Sequence, residues 1–100
     1  MTHYFITRHP GAKAWAEAEG ITVDQFVVDF DPASTLPGDI VMGSLPVNLA
    51  AEVSARGGRY FHLCLPLAHE WRGRELSVED MRRFGSRLEE FQVLTVKPLV

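Results

Sequence analysis

The sequence predicts an α/β domain of three layers: a mostly parallel, five-stranded sheet with helices on both faces. Three observations predict it. Short runs rich in β-branched and aromatic residues alternate with stretches of helix-forming composition. Their order is strand, helix, strand, strand, helix, strand, helix, strand, the pattern that parallel crossovers pack into layers. The 100 residues, 46% apolar and 23% charged, match one ordinary core, read as a single domain over residues 1–100.

Each element has its own warrant. His3 to Thr7 forms the first strand, and Pro10 is acceptable in the helical turn that follows. A helix from about Gly11 to Glu19 places Ala14, Trp15 and Ala18 on one face and stops at Gly20. Val23 to Phe30 is a second strand, and Asp31 to Gly38 is a loop by composition. Asp39 to Ser44 is the third strand, turned by Leu45-Pro46 into a helix from Val47 to about Ala55. That helix buries Leu49, Ala50 and Val53 and ends at Gly57-Gly58. Tyr60 to Leu65, a nearly continuous apolar run, is a fourth strand of the kind buried on both faces. Ser77 to Asp80 opens a third helix as a capping box. It continues to about Glu90, burying Met81, Phe84, Leu88 and Phe91, and Gln92 to Lys97 is the last strand.

Composition excludes several classes. A formal charge of −3 argues against a coat for long nucleic acid, which is normally basic. The single cysteine, Cys64, forms no internal disulfide and reads as a buried core thiol. Nothing resembles a signal peptide or a membrane span, so the expectation is a cytoplasmic protein without membrane contact. No cofactor or metal site is expected: His62 and His69 are seven apart with no companion ligands.

Chemistry is expected where three loops leave the carboxyl ends of parallel strands and share one edge. The first is Arg8-His9-Pro10-Gly11, the second Gly43-Ser44-Leu45-Pro46, the third the segment from Pro66 to Glu75. Two of them enter helices, whose first-turn N–H groups and dipole attract anions. Arg8 offers a forked phosphate binder, and His9 a group able to give or take a proton near neutrality. Gly11 and Gly43 let a ligand approach the backbone, Ser44 adds a hydroxyl, and Asn48 lies a turn further on. Arg72 and Arg74 bring further cations, with Glu70 and Glu75 as competing partners, and Trp71 offers an aromatic face for stacking. Blander readings stand beside these. His9 and His69 also suit exposed turns, Ser44 suits a helix cap, His62 suits a strand interior, and Arg82, Arg83, Arg87, Glu89 and Glu90 suit a solvated helix face.

Three blocks carry a family resemblance: Thr7 to Gly11, Gly38 to Val53, and Arg72 to Ser77. Together they resemble a small CRISPR-associated family, the sixteenth type in the Csx series, which accompanies type III systems. That family often has histidine where this chain has Asn48. The resemblance implies a Rossmann-like fold related to the domains that bind cyclic oligoadenylates (CARF-like), assembled as a homodimer. It implies a ring nuclease that cuts the cyclic oligoadenylate messenger, the four-membered ring above all, and switches off antiviral signalling. Placed on these residues, the implied site has His9 as acid or base, and Arg8, Arg72 or Arg74 holding phosphate. Ser44 and the Gly43–Leu45 backbone would orient it, and Thr7, Gly11, Asn48 and Trp71 would line it.

Other readings stay open at this point. A protein that binds the same ring without cutting it needs the same cationic crevice. Arg8-His9 after a first strand is also similar to histidine phosphatases, although Pro10 interrupts the Arg-His-Gly spacing. A structural dimerisation module would need none of these side chains.

Overall fold

The computed structural model describes residues 1–67 and 69–100, and among these it has eight helices and strands. They are β1 (His3–Ile6), α1 (Pro10–Ala18), β2 (Gln25–Val27), β3 (Ile40–Gly43), α2 (Val47–Ala55), β4 (Arg59–Cys64), α3 (Val78–Arg83) and β5 (Arg87–Phe91). Single 3₁₀ turns cover Pro32–Ser34 and His69–Trp71. The strands form one sheet in the order β2-β1-β3-β4-β5. The first four are parallel, and β5 pairs antiparallel with β4. This is the expected Rossmann-like α/β class and element order.

The two sheet faces bury different sets, as strand alternation requires. Phe5, Ile40 and Met42 pack with Ala12, Trp15 and Ala16 of α1 and Met81 of α3. On the opposite face Val41 and Tyr60 pack with Ala50 and Val53 of α2. In α1 the buried residues are Ala12, Trp15 and Ala16, a three- and four-residue step, while the expected Ala14 and Ala18 are exposed. The sheet-facing stripe is centred on Trp15, and those two alanines lie on its flanks.

The carboxyl-terminal third differs most from expectation. The third helix ends at Arg83 instead of near Glu90, and the last strand is Arg87–Phe91 instead of Gln92–Lys97. Gly85, with φ of +76°, ends the helix. The Ser86 N–H donates to the Met81 carbonyl and the Gly85 N–H to the Arg82 carbonyl, the paired bonds of a glycine helix stop. Helices α1 and α2 end the same way at Gly20 and Gly57. Leu88 and Phe91 therefore lie on a strand, and Phe91 is exposed. Arg87, Glu89 and Glu90 belong to the same edge strand, where Glu90 receives two bonds from Arg59 at 2.8 and 2.9 Å.

Strand β4 is also less covered than expected. Only Tyr60 is buried, and Phe61 to Leu65 are half-buried because β5 is a thin edge and α3 is short. Cys64 is half-buried with them. The second strand shrinks to Gln25–Val27, an outer edge held by few bonds.

Asp39 anchors the entry to β3. It is 2% exposed, and its carboxylate accepts the Thr2 and Leu36 N–H groups, each at 3.0 Å. Those bonds hold its pKa below the usual aspartate value of 3.8. A depressed folded pKa gives stability above the unfolded value that is lost as pH falls through the folded one. Acid titration of stability should therefore show a loss beginning near pH 4, and Asp39→Asn should lack that component while being less stable at pH 7. An unchanged acid limb in the variant would contradict this role.

Candidate active site at the β1–β3 switch

The chain leaves β1 through α1 to reach β2 on one side, then returns to β3 on the other side of β1. Helices α1 and α2 start beside each other but cover opposite faces of the sheet. Their entry loops must diverge, which opens a crevice at the carboxyl ends of β1 and β3. A cavity of about 790 Å³ lies there. Its polar rim includes Thr7, Arg8, His9, Ser44, Arg74 and Glu75. Its floor is apolar, with Ile6, Phe30, Leu49, Leu63 and Leu65.

The three loops expected to meet do meet. Thr7, Arg8, His9, Gly11, Ser44, Leu45 and Arg74 all line this one cavity. Gly43, Asn48, Trp71 and Arg72 are not among its lining residues.

His9 is the N-cap of α1. The Thr7 hydroxyl accepts the His9 backbone N–H at 3.1 Å, and the His9 carbonyl starts the helix by accepting from Ala12 and Lys13. Both bonds fix the backbone and leave the imidazole exposed at the cavity mouth. Arg8 is exposed as well, its guanidinium 3.8 Å from the Asp29 carboxylate. That pair is largely solvated, so it holds Arg8 only weakly. The Ser44 hydroxyl has one long contact, 3.4 Å to the Leu63 carbonyl, and is free to turn.

The two glycines have a different explanation from the expected one. A Cβ on Gly11 would land on the carbonyl oxygen of Leu76. A Cβ on Gly43 would stand 2.6 Å from the Ile6 carbonyl oxygen, and Gly43 has φ of +144°. The protein's own backbone fills both spaces. The Leu45 N–H is likewise engaged, donating to the Tyr60 hydroxyl at 2.9 Å.

Sequence reasoning missed that hydroxyl. Tyr60 is 2% exposed, and burial raises its pKa. Its oxygen stands 3.2 Å from the Gly43 carbonyl and 2.7 Å from His62 Nδ1. All contacts are satisfied together when His62 carries its proton on Nδ1. The hydroxyl then accepts from Leu45 and His62 and donates to Gly43. His62 is thus a satisfied strand histidine, and Tyr60 pins the turn that carries Ser44. Val28, Asp29 and Phe30 were also missed, although β2 is parallel to β1 and must end at the same edge.

Among the described residues, no group of three or more His, Cys, Asp or Glu is placed to hold a metal ion. No helix among them is long and apolar enough to cross a membrane. The sequence matches the family model described as "Putative CRISPR-associated protein (Cas_VVA1548)" over residues 4–94. The chain belongs to this CRISPR-associated family. The match runs from β1 past β5 and so includes every loop of the crevice. No match was found among curated proteins or among solved structures.

For this CRISPR-associated chain, the Tyr60 network is open to a direct check. Tyr60→Phe should lower unfolding free energy by roughly 1–3 kcal/mol, because the Leu45 donor loses its buried acceptor. Hydrogen exchange at the Leu45 amide should speed up in the variant. Native protection there would show that the turn is held by something else.

Proposed function

We propose that this chain is a ring nuclease that binds and cuts cyclic oligoadenylate, cyclic tetra-adenylate in particular, and thereby switches off type III antiviral signalling. The observation that carries the reading is the convergence of Arg8, His9, Ser44 and Arg74 on one crevice of a CRISPR-associated fold. Its apolar floor suits a nucleobase and the two arginines of its rim a phosphodiester.

RNA supplies its own nucleophile. The 2′-oxygen attacks the adjacent phosphorus, the bond from phosphorus to the 5′-oxygen breaks, and the leaving oxygen takes a proton. The products end in a 2′,3′-cyclic phosphate and a free 5′-hydroxyl. His9 is the proton donor or acceptor in this scheme. Arg8 and Arg74 offset the charge that builds on the non-bridging oxygens, and Ser44 orients the phosphate. Aligning the attacking and leaving oxygens is the remaining task, and it requires no metal.

A four-nucleotide ring is larger than one crevice of this size takes. Two copies of the chain would offer two equivalent crevices to the two-fold symmetric ring, so the proposal includes a homodimer.

A second reading keeps the ligand and drops the chemistry. It is favoured by one observation: the exposed His9 imidazole has no side-chain partner among the described residues to orient it. Purified protein incubated with excess labelled cyclic tetra-adenylate separates the two. Multiple turnover is expected. His9→Ala should keep its affinity while cleavage falls by roughly 10²–10⁴-fold. Recovery of intact ring from native protein would make the chain a binding protein, and full cleavage by the variant would remove His9 from the mechanism.

A further inference from the structure

Trp71 lies outside the cavity, yet it is a meeting point for cations. The Arg74 guanidinium sits 4.9 Å from the centre of its ring and that of Arg83 5.0 Å. Phe84 meets the same indole edge-on at 5.2 Å. Arg83 is itself 3.6 Å from Asp80, whose carboxylate accepts the Ser77 N–H in the capping box of α3. A chain of contacts therefore runs from the start of α3 through its last turn to Trp71, and from Trp71 to the cavity rim.

Local backbone geometry decides which arginine is reached. The Arg74 N–H donates to the Trp71 carbonyl at 3.3 Å, and Gly73 takes a φ of +79° between them. A turn of that kind brings the residue three positions on back over the first. Arg74 is that residue, and it is the one that lines the cavity. Arg72, one position after Trp71, is exposed elsewhere. Among the described residues no carboxylate pairs with Arg74, and the indole face anchors its guanidinium.

We propose that Trp71 is a positioning residue that holds the Arg74 guanidinium at the rim of the cavity, making Arg74 the second cation of the site. Trp71 thus acts through Arg74 and does not stack on the ligand. What Arg74 then contacts rests on the proposed phosphodiester substrate, whereas the clamp exists without ligand.

Two measurements on the full chain keep these apart. In ¹⁵N-labelled protein without ligand, the Arg74 Nε–H resonance should lie upfield, shifted by the indole ring current. It should stay displaced in Trp71→Tyr and return to the ordinary arginine position in Trp71→Leu. An ordinary position in the native chain overturns the clamp. The second measurement is affinity for cyclic tetra-adenylate in Trp71→Leu, Arg74→Ala and the double variant. The loss in Trp71→Leu should be about two- to fivefold, the size of one exposed cation–π contact. The double variant should be no weaker than Arg74→Ala alone. Additive losses would mean that Trp71 touches the ligand directly and would overturn the positioning role. Arg74→Lys keeps the charge at an exposed site without the planar fork, so it should lose affinity too; native affinity there also overturns the proposal. A native chain with no affinity for the ring refutes the proposed function, while the resonance still decides the clamp.

Discussion

The pairing of β1 with β3 runs to Ile6 and Gly43, and the last step of that ladder sets the geometry of the site. At this point the two backbones approach so closely that no side chain fits on residue 43. Beyond it each chain must turn, one towards α1 and the other towards α2. Because the two helices cover opposite faces, the turns separate and leave the crevice. Residues 7–9 and 44–46 are its walls for that reason, and the Tyr60 hydroxyl beneath the second turn keeps the opening in shape.

Close packing of this kind also leaves less open backbone here than in a glycine-rich phosphate loop. Gly11 is small because Leu76 passes over the first turn of α1, and Gly43 is small because Ile6 passes beside it. Leu45 gives its N–H to Tyr60. Few backbone donors stay open at the crevice as a result: Pro10 has no N–H, and the amides of Ala12 and Lys13 go to the His9 carbonyl.

Much of this was legible in the sequence. The order of elements, the capping box at Ser77 and Asp80, and the gathering of three loops at one sheet edge all follow from composition, spacing and the direction of parallel strands. The end of α3 was legible too, since Gly85 carries the same stop signal as Gly20 and Gly57. The apolar spacing of Leu88 and Phe91 fits a helix as well as a strand, and that ambiguity hid it. What could not be read was pairwise: that Tyr60 reaches back to Leu45, or that Leu76 fills the space over Gly11. Such contacts join residues 15 and 65 positions apart, and local pattern carries no record of them.

The two arginines at the rim are prepared in different ways, and the difference bears on how a phosphodiester of the proposed kind would be held. Arg8 faces Asp29 across 3.8 Å of solvent-exposed space, so an incoming phosphate competes with a carboxylate that water already screens. Exchange of one anion for another costs little there, and it leaves Arg8 free to follow the ligand in and out. Arg74 has an aromatic face instead of an acid. Stacking restricts its rotamers, and among the described residues no protein acceptor takes its side-chain N–H donors, which is the condition for binding an anion without first breaking an ion pair. Asp29 and Glu75 line the same cavity, so the two guanidiniums do not act through a net positive field; what sets them apart is that one is exchangeable and the other is held against an aromatic face.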